Sequence, residues 1–214
     1  MMSLHFGVLL LMNETGLNKG EDGKLRCWWC GDDPLYMHYH DVEWGRKTTG
    51  DIPLFEKICL EGFQAGLSWI TILRKRENFR RAFAEFDFHK VANFTEDDVQ
   101  RLMQDQGIVR NELKIRATIN NAKQVIALIN EFGSLYAYFS QFKPSAESRP
   151  EICDYETLSK LASTPESVAL AKDLKKRGFK FLGPTTMYAH MQAMGIVNDH
   201  LEGCHIRAEC DKEQ

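Results

Sequence analysis

At 214 residues the chain has the length of one domain, at most two lobes, folded around a substantial core. Its 27 basic and 30 acidic side chains give a formal net charge of −3. That excludes a basic field over the whole surface, so any affinity for nucleic acid has to come from local patches.

The first apolar stretch, Phe6 to Met12, is only seven residues long, with no basic flank before it and no small-residue cleavage site after it. It is too short to span a bilayer and lacks the layout of an export signal, so we expect a cytoplasmic protein with no membrane partner and with reduced thiols. Residues 1–24 are expected to form a poorly ordered N-terminal extension, with Met12 a candidate start. Asp33-Pro34 pairs an N-cap residue with proline at the first helical position and opens a helix that sets Tyr36, Tyr39 and His40 on one face. Asp51 and Pro53 open a second helix, to about Gly66, and Ser68 caps a third carrying Ile72, Phe79 and Phe83 on an apolar stripe. Thr95 and Asp98 have capping-box spacing. After Gly107-Ile108-Val109-Arg110 comes a long periodic run through Ile115, Ile119, Ala122, Ile126 and Ile129. Ser134 to Phe142 reads as another helix, 143–150 as a loop, Thr164-Pro165 as a helix start ending at Gly178, and Pro184 to Met194 as the last helix. No segment alternates with period two and none repeats. The expected fold class is all-α, with a domain over 25–205 and a C-terminal tail over 206–214.

Two cysteine–histidine pairs stand at opposite ends of this domain, Cys27-x12-His40 and His200-x3-Cys204. Together they offer the two thiolates and two imidazoles of a closed tetrahedral zinc site, which would clasp the first structured segment to the last. Spacing alone does not fix the set: Cys30, His38, His205 and Cys210 are nearby alternatives, and disulfides are the rival use of the thiols.

Two local basic clusters interrupt the mildly acidic balance, Arg74 to Arg81 and Lys172 to Lys180; each reads first as a solvated helix face. Glu61 shares a stripe with Leu54, Ile58 and Ala65, so it must find donors or suffer desolvation. It is followed by a break, Gly62 to Trp69, holding two more of the features a pocket needs: glycines for close approach and an indole to stack on. A carboxylate beside Trp69, with Tyr36 and Tyr39 opposite, suits an amine-bearing heterocycle; a structural carboxylate among core aromatics is the plainer alternative. The segment Leu102 to Ile115 has the layout of a helix-hairpin-helix, whose turn directs backbone N–H groups at a phosphate, with Gly107, Arg110 and Lys114 beside it. Any αα-corner shares that pattern.

Longer blocks are more specific. Pro34-Leu35-Tyr36-x2-Tyr39-His40-Asp41-x-Glu43-Trp44-Gly45, Leu60-Glu61-Gly62-x-Gln64-Ala65-Gly66-Leu67-Ser68-Trp69, Gly107-Ile108-x-Arg110, 175–181 and Val197-Asn198-Asp199-His200-x3-Cys204 closely resemble the type I 3-methyladenine DNA glycosylase family. The resemblance covers roughly residues 25 to 204. It implies a helix-hairpin-helix glycosylase acting on alkylated double-stranded DNA, with free 3-methyladenine as product; a monomer is expected, though the sequence does not fix the oligomeric state. It implies one structural zinc per chain on Cys27, His40, His200 and Cys204. It also implies that Glu61, as the catalytic-site carboxylate, holds the excised base with Tyr39 and Trp69, and that Tyr36 and Trp44 lie close by. Leu67 at the tip of the break would wedge into the base stack, and Phe63 is a departure expected to alter the pocket. Related glycosylases use an aspartate downstream of the hairpin, and this chain has none between Asp105 and Asp154. N3-methylated adenine is already cationic and leaves as a neutral base, so the missing group fits that substrate. Two rivals remain at this level: a non-catalytic DNA-binding module, and a zinc hydrolase in which Glu61 activates a metal-bound water.

Overall fold

The computed structural model describes residues 15–213; the stretch Phe6 to Met12 lies outside the described residues. Two short strands, β1 (Leu17–Lys19) and β2 (Leu25–Cys27), pair antiparallel with Leu17 opposite Cys27. Then follow α1 (Pro34–Val42), α2 (Asp51–Gln64), α3 (Trp69–Ala82), α4 (Phe88–Val91), α5 (Glu96–Gln104) and α6 (Glu112–Phe132). The chain continues with α7 (Leu135–Ser140), α8 (Tyr155–Leu158), α9 (Pro165–Lys176), α10 (Pro184–Ala193) and α11 (Arg207–Glu213). The fold is predominantly helical, as the periodicity predicts.

Caps explain most boundaries. The Asp33 carboxylate accepts from the N–H groups of Leu35 and Tyr36, and Pro34 fills the first helical position. Asp98 accepts from the Thr95 N–H in a capping box, and Asn111, Ser134 and Thr164 each accept from a backbone N–H of their own helix. Two expected caps do other work. Gly50 precedes α2, and Asp51 instead accepts from the Leu135 N–H at 2.8 Å, tying α2 to the start of α7. The Ser68 hydroxyl bonds that of Thr71, at 2.8 Å.

The N-terminal segment departs from expectation. Residues 17–19 belong to the hairpin rather than to a loose extension, and its strands are too short to show alternation. In the tail, α11 buries Cys210, and the Arg46 guanidinium reaches Glu209 and Glu213 at 2.7 and 2.8 Å.

α2 is the central helix, packed against α3, α6, α7 and α10. Leu54, Phe55, Ile58, Leu60 and Phe63 are buried along it, each contributing on the order of 1.5–3 kcal/mol by leaving water. Phe63 packs on Phe79 and Phe83, with ring centroids 4.7 and 5.8 Å away, so it faces the core and not the pocket break where it was expected to act. A smaller apolar cluster joins the hairpin to the C-terminus through Leu17, Cys27, Leu158, Leu201, Ile206 and Cys210. Among the described residues no helix is long and apolar enough to cross a membrane.

Candidate functional site

The hairpin delivers Cys27, α1 delivers His40, and the loop before α11 delivers His200 and Cys204. The four donor atoms lie within 4.8 Å of one another and all four side chains are buried. Sulfur–nitrogen separations are 3.5 Å (Cys204 to His40 Nε2), 3.6 Å (Cys204 to His200 Nδ1) and 3.7 Å (Cys27 to His200 Nδ1). A tetrahedral ion with zinc's bond lengths would hold such donors about 3.6 Å apart, so the residues fit that group. The far nitrogens are also fixed as ligand imidazoles require: His40 Nδ1 faces Asp41 Oδ1 at 2.8 Å, and His200 Nε2 faces the Trp44 carbonyl at 3.0 Å. Gly45, at φ +81°, makes room here, because a Cβ would lie 2.8 Å from His200 Nε2. The alternatives fall away. The Cys30 thiol donates to the Cys27 carbonyl and is pushed up to about 12 by burial, His38 is exposed, His205 meets the Leu25 carbonyl, and Cys210 sits in the apolar cluster. Four buried donors leave no open position for a reacting water.

Beside this cluster lies a cavity of about 270 Å³. Tyr36 and Tyr39 of α1, Trp44, Glu61 of α2 and Trp69 of α3 line it, so the sequence-predicted pocket residues are brought together. Tyr39 and Trp69 have ring centroids 5.4 Å apart. Burial keeps the Tyr39 phenol protonated well above its ordinary range, and the buried Trp69 indole N–H has no partner among the described residues.

Among the wall members that the sequence reading missed, three bear on its chemistry. Trp29, two residues after Cys27, packs on Tyr36 and Trp44 with centroids 5.2 and 4.9 Å away. Lys57, one turn before Glu61, bonds Glu61 Oε1 at 2.9 Å and the Tyr39 hydroxyl at 2.6 Å, and sits 3.3 Å from the Trp69 ring centroid. Burial pulls its amine below the ordinary lysine range, and the Glu61 carboxylate opposes that shift. Glu61 is therefore not a lone carboxylate; the i, i+4 spacing to Lys57 was the available signal. Asp199 is the third, but Arg149, Tyr188 and Gln192 all bond its carboxylate, making it a fastener of α10 to the His200 loop.

Tyr39, Lys57 and Trp69 also line a second cavity of about 260 Å³ on their other side. Its charges are already matched by Arg76–Glu43 and Arg80–Glu56 pairs, at 2.5 and 2.8 Å. Glu61 lines only the first cavity.

The residues expected at DNA divide. Leu67 is 42% exposed at the tip of the α2–α3 turn, which Gly66 opens at φ +83°, and Arg110 is exposed. Lys114 is buried and caps α2, donating to the Phe63 and Ala65 carbonyls at 2.9 and 2.7 Å, so its ammonium is not offered to a phosphate. The Gly107 N–H is taken by Asp105 Oδ1 at 2.7 Å, and the Gly107 carbonyl accepts from Lys75 and Asn78. Within the 74–81 cluster three charges are matched, Arg74 on Asp33, Arg76 on Glu43 and Arg80 on Glu56, while Lys75 donates to the Gln106 and Gly107 carbonyls and Arg81 to Asn78.

Comparison with known proteins gives this arrangement a context. The methyladenine glycosylase family model matches residues 29–208. The chain is 50% identical over 180 residues to DNA-3-methyladenine glycosylase 1 of Escherichia coli (strain K12), covering 84% of this chain and 95% of that protein. It is 46% identical over 182 residues to DNA-3-methyladenine glycosylase of Haemophilus influenzae, covering 84% and 96%. A crystal structure of 3-methyladenine DNA glycosylase I superposes with a TM-score of 0.77 at 48% identity, covering 84% of this chain and 98% of the other. The Staphylococcus aureus enzyme, whose structure describes 3-methyladenine recognition, superposes with a TM-score of 0.74 at 35% identity, covering 82% and 92%. The chain belongs to the methyladenine glycosylase family.

Proposed function

We propose that this protein is a DNA-3-methyladenine glycosylase that excises N3-methyladenine from alkylated duplex DNA and leaves an abasic site. The observation that carries the reading is the convergence of Glu61, Tyr39 and Trp69 on one cavity of about 270 Å³, enough for a single purine. A base inside a duplex cannot reach such a cavity, so the nucleotide must be flipped, at a cost of a few kcal/mol that is lowest for a damaged pair. Leu67 fills the vacated stack and exposed Arg110 meets the backbone nearby. Trp69 stacks on the base, and Glu61 accepts from the exocyclic amine through the oxygen that Lys57 does not hold. Guanine places a carbonyl oxygen there, acceptor against acceptor, and is rejected.

The glycosidic bond breaks with its electron pair going to the base. Because the methylated base is cationic, it departs neutral. Water bonds to the anomeric carbon and gives up a proton. Lys57 has all three N–H groups engaged, so no free amine stands in the pocket to form a Schiff base, and the strand stays intact. The cluster of Cys27, His40, His200 and Cys204 holds one zinc, which supplies a cross-link between the two ends of the domain; the base chemistry belongs to the pocket.

Incubation with dimethyl-sulfate-treated DNA, followed by chromatography of released bases, tests this. We expect free 3-methyladenine to appear and Glu61→Gln to slow its release by at least about tenfold, with binding to undamaged DNA unchanged. No 3-methyladenine release by the wild-type protein would refute the assignment and leave a DNA-binding module.

A further inference from the structure

Lys57 is only 5% exposed, yet its ammonium reaches three pocket groups at once. An ammonium has three N–H donors and no acceptor. One points at Glu61 Oε1, at 2.9 Å, and one at the Tyr39 hydroxyl oxygen, at 2.6 Å. The third faces the Trp69 ring, whose centroid lies 3.3 Å from Nζ. All three are used within the wall, so Lys57 has no hydrogen bond left for a ligand.

Its effect on the two oxygens is different for each. The Tyr39 oxygen accepts from Lys57, so its own O–H has to donate elsewhere than to that ammonium. Glu61 has one oxygen committed and the other left as an acceptor. A phenol alone can turn its proton either way, toward a ligand or toward the carboxylate beside it. With the ammonium between them, both oxygens lie on the same nitrogen and the phenol proton is directed outward. The cavity thus presents one donor and one acceptor in a fixed order.

That pair complements an amidine edge, a ring nitrogen acceptor beside an amine donor. An oxo-purine, with a carbonyl in place of the amine, leaves two acceptors facing each other.

We propose that Lys57 is a specificity-determining positioning residue: by binding Tyr39 and Glu61 together it fixes the phenol as donor and the carboxylate as acceptor, and so selects amino- over oxo-purines. This rests on the pocket being the seat of the methylated base.

The test is calorimetric titration of free 3-methyladenine and of 3-methylhypoxanthine, which has the same shape with a carbonyl replacing the amine. Wild type, Lys57→Met, Tyr39→Phe and their double variant are compared, with melting curves to show that each is folded. Lys57→Met should reduce the preference for 3-methyladenine at least about tenfold, and should do much less in the Tyr39→Phe background. A loosened fold weakens both ligands together, so it does not move their ratio. An unchanged ratio in folded Lys57→Met, or independent effects of the two substitutions, overturns the proposal. Should Lys57→Met not fold, Glu61→Gln and Lys57→Met/Glu61→Gln replace it, the latter removing both charges at constant volume. A further loss of 3-methyladenine affinity in the double variant is expected, and none overturns the proposal. Failure of the wild type to bind 3-methyladenine at all would instead refute the pocket assignment.

Discussion

His190 is an imidazole sealed in the core against Phe139, with ring centroids 4.7 Å apart and no partner for either nitrogen among the described residues. Burial, reinforced by the nearby Lys57 charge, pushes it down to about 3. The unfolded chain therefore takes up a proton near pH 6.5 that the folded protein refuses. Stability from this group is fully present above pH 6.5 and is lost as pH falls toward 3, by about 1.4 kcal/mol per pH unit. We predict that urea denaturation of His190→Leu will show a flatter acid limb than wild type, with equal or higher stability at pH 5; an unchanged slope would contradict a neutral buried imidazole. Single residues were also where sequence reasoning was most uneven. Glu61 stood out because a carboxylate on an apolar stripe is an anomaly, and Tyr39 and Trp69 because their neighbours formed long matching blocks. Lys57 did not, since a lysine four residues before a glutamate ordinarily reads as a surface pair. Asp199 sits in no periodic segment, and only the tertiary fold brings Arg149 to it.

Among the helices, α2 is capped by a partner from elsewhere. Its last turn cannot satisfy its own carbonyls, and Lys114 of α6 supplies the donors from beneath. Lys114→Met should cost about 1.5–3 kcal/mol in chemical denaturation, the range for hydrogen bonds to charged groups. It should also slow excision, since the turn carrying Leu67 follows the capped end; a change in DNA affinity with no change in stability would restore Lys114 to the DNA surface. The sequence misled here because Lys114 follows the N-cap Asn111 in the first turn of α6, where side chains are usually exposed. Most helix starts were legible, because capping chemistry is local: Asp33-Pro34, Thr95 with Asp98, and Thr164-Pro165 all behave as their residues dictate. The hairpin and α11 were not. The first has strands of three residues, and the second is held by Arg46, far away in sequence.

At the scale of the whole molecule, the four-residue donor cluster brings the two ends of the domain together. Cys204→Ala removes a donor, whereas Cys210→Ala removes only a buried sulfur from the apolar cluster. We predict that purified protein holds about one zinc per chain. Cys204→Ala should lower Tm by roughly 10 °C or more, against a few degrees for Cys210→Ala, since 1 kcal/mol corresponds to about 2–4 °C at this size. Equal shifts, measured by calorimetry alongside metal content, would refute the donor assignment. A strong chelator should reproduce the Cys204 effect in the wild type, because the ion binds the folded state.

The order of these donors along the chain has a consequence for how the molecule is made. Cys27 and His40 leave the ribosome long before His200 and Cys204, which lie beyond every residue lining the base pocket, Asp199 included. A stalled or clipped chain ending before His200 would carry Glu61, Tyr39 and Trp69 but could offer an ion only two donors. An ion held by all four donors would thus mark a chain that extends past Cys204, and metal content per chain would count such molecules in a preparation.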